Sequence, residues 1–158
     1  MVLNRQRRIP VALEPLEKFL ARLKATLDLS RDVAVCLVSE VAIARMNVTY
    51  RKKKGPTDVL SFPSSGRAAR RKLSRPSVNS LSKRSDPLKK SDALYLGDIA
   101  IAPETARRNS RRLHRPLPLE LRILILHGVL HLLGYDHETD RGEMNRLERR
   151  LRRRLALE

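Results

Sequence analysis

At 158 residues, 41% of them hydrophobic, the chain can bury a core of its own and is expected to form one domain spanning residues 1–158. One cysteine, Cys36, excludes an internal disulfide framework and a cysteine-rich zinc site, and no apolar run approaches the roughly 18 residues of a membrane span. Thirty-four Lys and Arg against 17 Asp and Glu leave a net charge of +17, which points to a polyanionic partner, nucleic acid first among them.

The first ten residues are basic but no apolar segment follows them, so no secretory signal is expected and a cytoplasmic location fits. A short strand is expected near Val2–Asn4. Leu13, Leu16, Leu20, Leu23 and Leu27 recur at three- and four-residue steps, which predicts an amphipathic helix over Val11–Leu29. The continuous apolar run Val33–Val38 suits a buried strand. Ser39 can cap a helix reaching about Asn47, with Glu40 in its first turn. A basic turn, Arg51–Pro56, leads into a second strand, Asp58–Pro63.

Residues 64–92 hold eight Ser, two Pro and nine Lys or Arg, with few apolar side chains. Such a stretch buries too little surface to offset its ordering entropy, so it reads as a basic, flexible insertion between two strands. It dominates the charge of residues 51–93, which is +10. A strand follows over Leu94–Ala102. Pro103 and Glu104 open a short helix whose Arg107, Arg108, Arg111 and Arg112 form a basic face.

Pro118 opens the next helix, apolar nearly all round and therefore the expected central buried element, with Gly134 placed as its left-handed C-cap. Thr139 can cap a last helix, with Asp140 and Glu143 in its first turn, Arg152–Arg154 in its last, and Met144, Leu147, Leu151 and Leu155 facing inward. The alternation of strands and helices is imperfect. The expected fold is α+β, a small mixed sheet packed with helices.

Three of the four histidines fall within eleven residues: His127, His131 and His137. The first two stand one helical turn apart, and the Gly134 turn can return His137 toward them. Three converging imidazoles form a tripod for one divalent metal. Zn²⁺ is favoured, with Ni²⁺, Cu²⁺ and Fe²⁺ chemically open. Three ligands leave a fourth position open, which favours a catalytic over a structural site. Cys36 could be a fourth ligand, but its place in a strand makes it a core side chain, and His114 reads as surface. The spacing is that of the metzincin protease signature, with Gly128 where those enzymes carry a glutamate base. Peptide hydrolysis of that type is therefore disfavoured. A mid-helix glycine also suggests that the space beside it is wanted, for substrate or for close approach of another element.

The segment HGVLHLLGYDH (His127–His137), with TYR at Thr49–Arg51, PTDVLSFP at Pro56–Pro63 and LGDIAIA at Leu96–Ala102, resembles the bacterial YbeY family from Val33 to about Leu151. The resemblance implies a single-strand-specific, zinc-dependent endoribonuclease acting in 16S rRNA 3′-end maturation and ribosome quality control, with rRNA and the small ribosomal subunit as partners. It implies His127, His131 and His137 as ligands of one Zn²⁺ and a functional role for Arg51, which otherwise reads as one more solvated charge. The long basic insertion over 64–92 departs from the family pattern. Asp58, Asp98 and Asp136 are candidates to orient Arg51 or a ligand histidine, with local turn hydrogen bonding as the competing assignment. RNA suits the residues better than peptide, because its 2′-hydroxyl is a built-in nucleophile and its phosphate an anion that a guanidinium can clamp. A zinc hydrolase of another substrate and a non-catalytic RNA-binding factor with structural zinc are the alternatives.

Overall fold

The computed structural model describes residues 1–64 and 94–158, so the expected insertion over 64–92 lies, from residue 65 onward, outside the described residues. The described residues form four strands, β1 (Val2–Asn4), β2 (Asp32–Leu37), β3 (Val59–Pro63) and β4 (Tyr95–Ile101). Five α-helices accompany them: α1 (Glu14–Thr26), α2 (Glu40–Met46), α3 (Pro103–Arg112), α4 (Leu117–Leu132) and α5 (Glu143–Arg154). The sheet order is β1-β2-β4-β3, with β3 antiparallel to β4 and the other pairs parallel. This is the small mixed sheet of an α+β fold.

Strand periodicity sorts the side chains into two layers. Val33, Val35, Leu37, Ile99 and Ile101 join the larger cluster, with Leu16, Leu20 and Leu23 of α1, the buried residues of α4 and the stripe Met144, Leu147, Leu151 of α5. Leu60 and Ala100, with the partly buried Cys36 and Phe62, face the other way and pack with Ile43 of α2. Cys36 is thus a small core side chain, and burial pushes its thiol up. Glycine at position 97, with φ +147°, lets the edge strand come close: a Cβ there would lie 2.3 Å from the carbonyl oxygen of Phe62.

Apolar on nearly every side, α4 packs against β3, β4, α1, α3 and α5. It ends as expected. Gly134 has φ +89°, its N–H donates to the carbonyl of His131 (2.9 Å) and that of Tyr135 to Leu130 (3.1 Å), a Schellman closure.

Three helices differ most from the sequence reading at their ends. The first helix begins at Glu14, because Pro15 suits only a first turn and the preceding chain loops around Gln6, whose side chain bonds the backbone of Arg8 and Ile9. Ser39 caps α2 as predicted, accepting from Ala42 N–H at 3.2 Å, but the helix widens into a π turn over Asn47–Arg51 that ends at left-handed Lys52. The buried Asn47 side chain donates to the carbonyl of Gly55 (3.0 Å) and so holds the basic turn against this irregular end. Thr139 does not cap α5. The chain turns at Gly142 (φ +81°), and the Asp140 carboxylate accepts from the backbone N–H of Gly142 (2.7 Å) and Met144 (2.8 Å), while the Thr139 hydroxyl donates to Asp136.

Candidate metal centre

The last turns of α4 and its Schellman turn bring the three histidines together. Their ring centroids lie 4.7 Å (His127–His131), 5.4 Å (His127–His137) and 5.3 Å (His131–His137) apart. Each can offer a nitrogen such that all three lie within 4.8 Å of one another. The Nε2 atoms of His127 and His131 are 3.1 Å apart, close to the roughly 3.4 Å that two nitrogens keep on one tetrahedral zinc. The donor set and its spacing fit one such ion. Among the described residues Cys36 is not part of this group, and His114 is exposed just beyond α3, as its sequence position suggested.

His127 is oriented by a residue the sequence reading did not single out. Its Nδ1 lies 3.0 Å from Oε2 of Glu148, which is only 6% exposed and comes from the inward stripe of α5. A carboxylate can only accept, so His127 carries its proton on Nδ1 and directs the lone pair of Nε2 toward the other rings. Burial pushes the Glu148 carboxyl up, but the His127 hydrogen bond and the Arg152 guanidinium outweigh it and hold the group below its ordinary value. The available signal was an acidic side chain one residue after Leu147 on an otherwise apolar stripe, which requires a partner in the core.

His131 is pushed down to about 4, first by burial and then by the neighbouring His127 and His137, so it stays a neutral ligand-ready imidazole. Gly128 is not beside substrate space. A Cβ there would meet Cγ2 of Ile99 at 2.8 Å, so the glycine serves the close packing of α4 on β4. Its carbonyl accepts from the hydroxyl of Ser61 (3.2 Å), tying edge strand β3 to the histidine helix. A protease-type carboxylate side chain at this position would have to displace Ile99.

The histidines open into a cleft of about 580 Å³, walled by β3, the π turn and the loop after α4. Arg51 lines it, with Nη2 3.4 Å from Oε1 of Glu138, and Lys53 reaches the same carboxylate at 3.6 Å. Tyr50, Phe62 and Tyr135 also line it. The three aspartates do not orient Arg51 or a histidine through a hydrogen bond. Asp58 accepts from Asn109 (3.1 Å), Asp98 from the hydroxyl of Tyr95 (2.7 Å), and Asp136 from Glu138 N–H (3.0 Å) and Thr139. Local hydrogen bonding accounts for Asp98 and Asp136, whereas Asp58 reaches across to α3, 51 positions away. In the basic face of α3, Arg108 is drawn to Glu40.

Comparison with known proteins gives a consistent result. The family model described as Endoribonuclease YbeY matches residues 2–156. A protein named Endoribonuclease YbeY from Solibacter usitatus is 36% identical over 153 residues, 96% of this chain and 86% of that protein. Another of that name from Koribacter versatilis is 35% identical over 159 residues, 99% of this chain and 86% of that protein. The solution structure of a Thermotoga maritima protein superposes with a TM-score of 0.60 at 26% identity, covering 98% of this chain and 89% of that one.

Proposed function

The chain belongs to the YbeY endoribonuclease family, and from that membership we propose that it is a zinc-dependent endoribonuclease specific for single-stranded RNA, acting in the cytoplasm on the 3′ end of 16S rRNA and in quality control of the small ribosomal subunit. In this reading His127, His131 and His137 hold one Zn²⁺, and Arg51 clamps the scissile phosphate. The observation that carries it is the shared cleft: three convergent imidazoles and an arginine fork face one space large enough for a nucleotide. Zinc bound there supplies Lewis-acid stabilisation of phosphoryl charge and activates water. Glu148 fixes the His127 tautomer, burial keeps His131 neutral, and the planar guanidinium of Arg51 matches two phosphate oxygens. The crowding of Gly128 against Ile99 disfavours the peptidase alternative. The whole chain, 1–158, acts as one domain in this reading, and the nine Lys and Arg of residues 64–92 add affinity for the RNA backbone.

Cleavage of a single-stranded fragment from the 3′ end of 16S rRNA, with metal content measured alongside, tests the proposal. Wild type should cleave and carry one zinc, and His131→Ala should lose both. A wild type that binds zinc and RNA without cleaving would favour the non-catalytic alternative. Deleting residues 64–92 should weaken binding and flatten its salt dependence, by about 0.7 in log–log slope for each single-strand phosphate that is no longer neutralised. An unchanged slope would remove that segment from the binding surface.

A further inference from the structure

Aromatic residues are scarce: three Tyr, two Phe and no Trp in 158 residues. Three of these five line one cleft. Tyr135 is partly buried against the main core, and Phe62 is packed with the cluster under α2. Tyr50 differs, because it is 67% exposed although it is a large, mostly apolar side chain at the mouth of a polar cleft. Its ring meets that of Phe62 edge to face, with centroids 4.9 Å apart and planes at 71°. Whichever ring supplies the edge, Phe62 covers at most one face of the Tyr50 ring, and the residue as a whole stays largely exposed. The π turn sets this aim. Asn47–Arg51 presents Tyr50 and the neighbouring Arg51 together to the cleft, and left-handed Lys52 turns the chain away immediately afterwards. π segments inside helices are often found where a side chain must be re-aimed at a functional site.

We propose that the exposed face of Tyr50, braced by Phe62, is a stacking platform for one unpaired RNA base beside the phosphate that Arg51 clamps. The role rests on the endoribonuclease reading and deepens it. A base can lie on this face only when free of a duplex partner stack, so the platform favours single strands. A ring next to a guanidinium fork sets which phosphate enters the cleft. A hydroxyl is not required, since any base offers a π face and the ring itself makes the contact.

The test pairs a ring deletion with a base deletion. Affinity for a labelled single-stranded oligoribonucleotide is read by anisotropy, and KM and kcat by cleavage, for wild type, Tyr50→Ala and Tyr50→Phe. Loss of one stacked base corresponds to about a 5- to 150-fold change. Tyr50→Ala should weaken binding and raise KM within that range with kcat little changed, and Tyr50→Phe should stay near wild type. Abasic sites are then walked along the oligonucleotide. One position should weaken wild-type binding by the same factor and leave Tyr50→Ala unaffected. Tyr50→Ala affinity within twofold of wild type, failure of Tyr50→Phe to restore it, or equal abasic effects in wild type and Tyr50→Ala would each overturn the platform. Absence of wild-type cleavage would instead defeat the endoribonuclease reading, and the binding cycle would still decide for or against stacking.

Discussion

The two walls of the cleft are built in opposite ways. The histidine wall stands on α4, the most enclosed element, with His127 anchored through Glu148 to the interior of α5. The facing wall is the end of α2, where a π turn and a left-handed residue leave Tyr50 exposed and Arg51 held by a rim ion pair with Glu138. The difference matches what the proposed function asks of each wall. Ligands of a small ion must be held within a few tenths of an ångström, which packing and buried hydrogen bonds provide. Groups that receive a flexible polyanion need access and adjustable reach, which a solvated turn provides. Substitutions in the first wall should therefore register as a loss of metal or stability, and those in the second as a loss of rate or affinity with metal and fold intact.

The largest effect is expected at Arg51. Replacing it by Lys keeps the charge and loses the bidentate fork. Cleavage should fall about a hundred- to a thousand-fold, or roughly 2.7–4 kcal/mol, the scale of removing one charge-stabilising donor. Metal content and thermal stability should stay at wild-type values, because an exposed pair such as Arg51–Glu138 contributes at most about 1 kcal/mol. Equal rates for wild type, Arg51→Lys and Arg51→Ala would return Arg51 to the solvated run of cations around it.

Glu148→Gln should do the reverse. It keeps the shape but removes the charge that orients His127 and faces Arg152, so metal affinity should drop about 10- to 100-fold in a chelator competition. The carboxyl is held below its ordinary value of 4.5, so its contribution to stability is fully present above that pH and is lost as pH falls through the lower folded value. Melting curves of wild type and Glu148→Gln, both freed of metal, should therefore converge on acidification below 4.5. A gap that persists at low pH would mean that shape, not charge, is what Glu148 supplies.

Gly128→Ala, within the histidine wall, should have the smallest effect. The added methyl relieves the mid-helix glycine, a gain of about 1 kcal/mol, but presses on buried Ile99, where overpacking costs about 1–3 kcal/mol. A net effect between neutral and about 2 kcal/mol destabilising is expected in denaturant titrations. Ile99→Val removes the Cδ1 contact at 2.9 Å and should cost less in the Gly128→Ala background than in wild type. Additive effects would show that the two residues do not press on each other.

The elements that were legible in advance rest on short-range pattern. The i, i+4 pair His127 and His131, the Gly134 closure, the β-branched run of β2 and the apolar perimeter of α4 all follow from periodicity and backbone preference within one or two turns. The convergence of the three histidines was legible for the same reason, since His127 and His137 lie only ten positions and one Schellman turn apart. The unusual Gly128 was visible too, with substrate space and close approach of another element both open, and the structure selects the second: the space beside it belongs to Ile99 of a strand 29 positions earlier in the chain.

What only the tertiary structure decided are the long-range meetings. Glu148 reaches His127 because α5 lays its inner stripe against α4, Ser61 reaches the Gly128 carbonyl because β3 is the edge strand beside β4, and Arg51 comes to Glu138 across 87 positions because two loops share one cleft. Asp140 displaced Thr139 as the cap of α5 on local grounds, since the turn at Gly142 aims the first N–H groups of that helix at its carboxylate. Local preference sets which elements form and where imidazoles stand on them. The choice of which carboxylate, hydroxyl or ring meets them depends on how whole faces pack, because burial of those faces outweighs any single polar contact in setting the arrangement.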